Sequence, residues 1–227
     1  MEIKEYNLSL DVDFYSLLFK GHEEIVIVDL EKDLILDSFG LQINHVEIAG
    51  KNIPFEQDDS TKKLKIKDLP KNATIEIDYE GKVSEKALYG VYKSKYGSDY
   101  FVTTDFEPNG ARLLFPCVDN PSFKAVFSLE VTTQRGLKVI SNAKTKGVTD
   151  LGDKTKHVFE KTPKMSTYIF YLGIGNFDQS SIRDKNVEFR IFARPGNAVK
   201  GKYALENAAK FLRAYEEYYG IKYPLDK

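Results

Sequence analysis

The 227-residue chain has no tryptophan, one cysteine and three histidines, and each scarcity closes off a class of function. A single cysteine, Cys117, leaves no internal disulfide and no cysteine-built zinc site, and it fits a reducing compartment. Without tryptophan the chain lacks a common sugar-stacking residue, which weighs against carbohydrate chemistry. Neither sign of charge is in excess. The 33 Lys and Arg and 34 Asp and Glu give a formal net charge of −1, scattered in small groups, so no basic face for nucleic acid stands out. No run reaches the roughly 18 to 20 apolar residues of a membrane-spanning helix, and the opening Met1-Glu2-Ile3-Lys4-Glu5 lacks the basic-then-apolar order of a signal peptide. A cytoplasmic protein with no membrane partner is expected.

What the chain does contain is short-period alternation. From Tyr6 to Phe14 the residues Tyr6, Leu8, Leu10, Val12 and Phe14 share one face, the period-two pattern of a half-buried strand. Further strand-like runs are Leu18 to Leu30, Leu34 to Leu36, Ile43 to Ile48, Leu64 to Ile66, Ile75 to Tyr79, Ala125 to Val131, Val139 to Ile140, His157 to Glu160, Tyr168 to Leu172 and Val187 to Phe192. Turn-rich segments such as Ala49-Gly50-Lys51-Asn52 and Asp150-Leu151-Gly152-Asp153 separate them. Many short strands at close spacing predict a mainly β fold, a sandwich or a saddle-like set of sheets.

After Arg194-Pro195-Gly196-Asn197 the period changes. Ala204, Ala208, Phe211, Leu212, Tyr215 and Tyr219 recur at three- and four-residue steps, and Gly220 is placed to end one amphipathic helix. The predicted organisation is therefore a β domain over 1–194, then a linker and helix over 195–227. The helix's apolar face needs a partner, either the β domain or further polypeptide.

Few residues suggest chemistry. His22-Glu23-Glu24-Ile25-Val26 begins like the HExxH zinc motif, but Val26 stands where the second histidine belongs, and the segment alternates like a strand, which would scatter the ligands. Cys117 has no histidine nearby in sequence and reads as a buried structural thiol. Gly173-Ile174-Gly175 is too short for a phosphate loop. The unusual stretch is Thr103 to Lys124, which mixes carboxylates, an arginine, three prolines and three phenylalanines and does not read as a simple strand. Two readings are open: a loop presenting Glu107, whose backbone Pro108 restricts to an extended form, or a structural loop in which Arg112 pairs with Asp105 or Asp119.

Thr104-Asp105-Phe106-Glu107-Pro108, Ala111-Arg112 and Phe115-Pro116-Cys117-Val118-Asp119-Asn120-Pro121 together resemble a signature of the gluzincin aminopeptidases. That family includes aminopeptidase N, the puromycin-sensitive enzyme and archaeal tricorn-interacting aminopeptidases. Further matches fall in order at Gly90-Val91-Tyr92-Lys93-Ser94, Ser141-Asn142, Pro163 to Tyr168, Ala193-Arg194-Pro195-Gly196 and Tyr219 to Lys227, so the resemblance covers essentially the whole chain.

The resemblance implies a saddle of β-sheets followed by the first helix of a thermolysin-like catalytic domain, with the chain ending before the GxMEN and HExxH motifs. It implies zinc in the full-length enzyme, none bound by this chain, and no catalytic residue here. Glu107 matches the family glutamate that binds the substrate's free α-amino group. Asp105, where many members have Gln, lies at a position beside the pocket for the first substrate residue, which suggests tolerance of Lys or Arg there. Peptides with a free N-terminus and the catalytic domain of the same polypeptide are the implied partners. Two rival readings stand beside this one: a free-standing β-sandwich that binds peptides or proteins, and a carboxylate-pair hydrolase using Glu107 and Asp119.

Overall fold

A computed structural model describes all residues 1–227. The strands in chain order are β1 (Glu2–Asp13), β2 (Leu18–Val28), β3 (Leu34–Asp37), β4 (Gln42–Ile48), β5 (Lys51–Asn52), β6 (Phe55–Asp58), β7 (Lys63–Ile66), β8 (Ala73–Lys82) and β9 (Gly90–Tyr96). They continue with β10 (Asp99–Asp105), β11 (Lys124–Gln134), β12 (Lys138–Ser141), β13 (Thr145–Asp150), β14 (Lys154–Phe159), β15 (Met165–Ser166), β16 (Leu172–Gly175), β17 (Asp178–Asp184) and β18 (Val187–Ala193). One helix, α1 (Lys202–Tyr219), closes the chain. The fold is mainly β with several sheets and one C-terminal helix, as the alternation implies.

Two compact units divide the chain, Met1–Ile174 and Gly175–Lys227. In the first, a large sheet runs β13-β14-β11-β1-β2-β8-β4-β5, with β15 paired to β11; β12-β16-β10-β9 and β3-β7-β6 form two smaller sheets. Only β1 and β11 pair in parallel; the other pairings in the large sheet are antiparallel. The alternating residues of β1 do what their period implies, with Tyr6, Leu8, Leu10, Val12 and Phe14 all buried. Tyr6 stacks on Phe127 of β11 at 5.2 Å between ring centroids, and Phe106, Phe115 and Phe170 complete an aromatic cluster around them. Each ring pair of this kind is worth about 0.5–1.5 kcal/mol beyond its buried area.

Three expectations are corrected here. Tyr168 to Leu172 is not a strand: Thr167–Ile169 forms a 3₁₀ turn, and the strand begins at Leu172. The Asn142 side chain explains this, because it donates to the Ile169 carbonyl at 2.8 Å and accepts the Tyr171 N–H at 2.7 Å, satisfying backbone that a ladder would otherwise pair. Second, Thr103 to Asp105 are the end of a regular strand, β10, which pairs with β9 from Asp99↔Tyr96 to Asp105↔Gly90.

Third, the helix buries a different face from the one its aromatic residues imply. In the second unit β17 and β18 form a hairpin, and α1 lies against both strands. Leu205 and Ala209, one turn apart, are its buried residues, whereas Ala204, Phe211, Tyr215 and Tyr219 stay exposed. The hairpin and the helix fall in the same compact unit, Gly175–Lys227. Gly220 does cap the helix, in the left-handed conformation with φ of 67° that glycine adopts at least cost.

Candidate functional site

The Thr103 to Lys124 stretch is built from β10 outward. Alternation along this strand buries Val102 and Thr104 and exposes Asp105. The Thr104 hydroxyl locks the strand to β16 by accepting the Leu172 N–H at 2.9 Å. Just past the strand, Phe106 is fully buried in the aromatic cluster, and the chain turns through Glu107, Pro108 and Asn109 before a 3₁₀ turn at Ala111–Leu113.

Glu107 sits in this turn, ahead of a cis peptide bond to Pro108. Hydrogen bonds on either side hold the turn. The Glu107 N–H donates to Asp105 Oδ1 at 3.3 Å, the Gly110 N–H donates to the Phe106 carbonyl at 2.7 Å, and the Tyr89 hydroxyl donates to Asn109 Oδ1 at 2.6 Å. Asp105 and Glu107 therefore lie together at the tip of one turn, both exposed. No hydrogen bond or ion pair engages the Glu107 carboxylate.

The other charged residues of the stretch serve the framework. Arg112 donates through Nε to Asp119 Oδ2 at 2.9 Å and pairs through Nη1 with Asp37 Oδ1 at 2.8 Å. Lys63 joins Asp37 at 2.6 Å, the Thr167 hydroxyl donates to Asp119 Oδ1 at 2.8 Å, and the Asp119 N–H donates to Asp37 Oδ2 at 3.1 Å. Of the two partners foreseen for Arg112 the structure selects Asp119 and adds Asp37, which the sequence reading did not single out. The available signal was slight: a lone aspartate ending the apolar run Leu34-Ile35-Leu36. The Asp119 side chain is 0% exposed and fully committed, so it is no partner for Glu107 in a carboxylate-pair hydrolase.

Cys117 is buried and exchanges two backbone hydrogen bonds with Asp37, and burial pushes its thiol well above the ordinary range. This is the structural thiol expected. His22 to Val26 lie within β2, alternating between half-buried and buried, as a strand and not a zinc-binding helix. His22 pairs with Asp78 at 2.8 Å and His45 with Glu47 at 2.9 Å, while burial lowers the pKa of His157. No three His, Cys, Asp or Glu side chains are grouped so as to hold a metal ion, so the residues present do not fit a zinc centre.

Comparison with known proteins agrees with this framework. Residues 2–169 match the model of the Peptidase M1 N-terminal domain. Over its whole length the chain is 43% identical to "Probable aminopeptidase 2" of Sulfurisphaera tokodaii and 37% identical to "Leucyl aminopeptidase" of Saccharolobus solfataricus. Over 99% of its length it is 35% identical to "Tricorn protease-interacting factor F2" of Thermoplasma acidophilum. It spans 28–29% of the length of these three relatives. Matched over most of its residues, the chain belongs to the Peptidase M1 N-terminal domain family.

Proposed function

We propose that this chain is the substrate-anchoring N-terminal domain of a zinc aminopeptidase that releases N-terminal residues from peptides. Glu107 receives the substrate's α-ammonium group, and Asp105 stands beside the first substrate side chain. One observation carries the reading: Glu107 is an exposed carboxylate without a partner, held on a turn whose neighbours on both sides are hydrogen-bonded or buried. An unpaired anion carried on a held backbone suits an ammonium ligand, because no existing ion pair has to be broken before the ligand binds. The names of the relatives, and their length beyond the matched region, support the class of reaction.

In this reading zinc belongs to polypeptide outside these residues, and nothing assigned to Glu107 or Asp105 depends on it. The chain by itself is expected to be inactive. The exposed aromatic side of α1, with Phe211, Tyr215 and Tyr219, is the surface offered to the catalytic part of the same polypeptide. The β domain would then extend to residue 194, with residues 195–227 leading into the catalytic domain. A free buried cysteine supports a cytoplasmic setting.

The test uses the longer polypeptide. Charge-assisted hydrogen bonds are worth about 1.5–3 kcal/mol, so Glu107→Gln should lower kcat/KM for an aminoacyl chromogenic substrate by about 10- to 150-fold. Kinetics unchanged by Glu107→Gln would remove Glu107 from the site. A change in Asp105→Gln confined to the ratio of Lys or Arg to neutral substrates is the expected signature of the second residue.

A further inference from the structure

We propose that a cleft behind the Glu107 turn, walled by Phe39, Tyr89 and Leu113 and flanked by Lys62 and Lys82, binds a small organic anion, namely a carboxylate on a flat apolar body. The cleft has a volume of about 350 Å³, within the range of about 300–1,000 Å³ typical of ligand cavities. Its lining contains three cationic side chains, Lys62, Lys82 and Arg112, and no carboxylate. Arg112 is already neutralised by Asp37 and Asp119. Lys62 and Lys82 form no ion pair, so they are the uncompensated charges of the cleft. The Lys62 ammonium lies over the Phe39 ring, 4.3 Å from its centroid, so a cation and an aromatic group of the lining are in direct contact.

The walls are fixed before any ligand arrives. Lys62 adopts a left-handed backbone with φ of 58°, unusual for a side chain of its kind, and its carbonyl is held by the Ser38 N–H at 3.0 Å. The Phe39 N–H donates to the Arg112 carbonyl at 3.0 Å, so the segment carrying the aromatic wall is tied to the 3₁₀ turn that follows Glu107. On the opposite side the Tyr89 hydroxyl holds Asn109. An apolar body would lie between Phe39, Tyr89 and Leu113, with its carboxylate toward the two lysines. Apolar walls with a few placed polar groups are the usual build of such sites.

The experiment is titration of the 227-residue chain with 3-phenylpropionate, its neutral amide and inorganic phosphate, read by amide NMR shifts. Saturable shifts at Phe39, Tyr89 and Asn109 are expected with the acid, and binding about tenfold weaker with the amide, since the charge-assisted contact is then lost. Lys62→Gln and Lys82→Gln, both at exposed positions, should each weaken the acid several-fold, while Lys51→Gln in a different cleft leaves it unchanged. Equal binding of acid and amide would overturn the proposal, as would a Lys62→Gln/Lys82→Gln double variant that binds as the parent does. Phosphate binding as tightly as phenylpropionate would refute the role of the apolar walls. Shifts located on another face, or no saturation, would dismiss the site.

Discussion

Glu23→Gln is expected to stabilise the protein, by an amount that grows with pH. Glu23 lies on β2 opposite Leu8 of β1 and Ile77 of β8, is 0% exposed, and neither of its carboxyl oxygens has a hydrogen-bond partner. The titratable groups around it are Tyr6 from β1, Tyr79 from β8, and Cys117. Phenols and thiols cannot carry a positive charge, and all three have pKa values raised above their ordinary ranges, so they surround Glu23 as neutral groups. Burial therefore pushes the Glu23 pKa well above its ordinary 4.5, which favours the protonated carboxyl in the folded protein.

The sign follows from proton linkage. Because the folded-state pKa is the higher one, the stability associated with the neutral carboxyl is complete below pH 4.5 and is lost as pH rises toward the folded-state value. The slope of that loss is about 1.4 kcal/mol per pH unit. Glutamine has nearly the same size and cannot ionise, so the difference in unfolding free energy between variant and parent should widen as pH rises above 4.5, approaching that rate about one unit higher, other groups cancelling. Urea unfolding of both proteins at three pH values between 4.5 and 6.5, at constant ionic strength, measures it. Parallel pH profiles would refute the reasoning, because they would mean that Glu23 reaches water or a cation in the folded state.

Arg112→Met leaves two carboxylates without their guanidinium, one of them completely buried, and should cost about 3–5 kcal/mol in urea unfolding. A loss below about 1 kcal/mol, the size of an exposed pair, would show that Asp37 and Asp119 find other partners. Cys117 should resist Ellman's reagent in the folded protein at pH 8 and react fully in urea, since it is buried with a raised pKa. Rapid labelling under native conditions would contradict that burial.

The elements visible in the sequence are those whose burial is one-sided. β1 and β2 bury alternate residues, so their faces could be read directly, and Gly220 marks the helix end because a left-handed residue is needed there. Strands lacking that contrast were invisible. β13 is exposed along its whole length, and β17 carries Gln, Ser and Arg with a single isoleucine, so neither shows an apolar period. The helix misled in another way. Its aromatic residues outweigh Leu205 and Ala209 in any hydrophobic pattern, but the small side chains are what fit against the hairpin. At the site, composition exposed the Thr103 to Lys124 stretch as unusual, while the role proposed for Glu107 came only from the resemblance. Its supports, Tyr89 and Asp37, lie in other strands and loops, and nothing local to the stretch points to them.

Glu23 and Glu107 show how one residue type is turned to opposite ends by its surroundings. A carboxyl enclosed among aliphatic and aromatic side chains takes up a proton and has no charge to offer a cation. A group that is to receive an ammonium must instead keep contact with water until the ligand arrives, and it must not already be spent on an arginine or lysine. Two cations of the framework are assigned elsewhere: Lys63 is held by Asp37, and Arg112 by Asp37 and Asp119. That pairing stiffens the mount and leaves Glu107 exposed and unpaired. Removing Arg112 would therefore damage the proposed function in two ways, by loosening the turn and by uncovering buried anions that compete for the same ammonium.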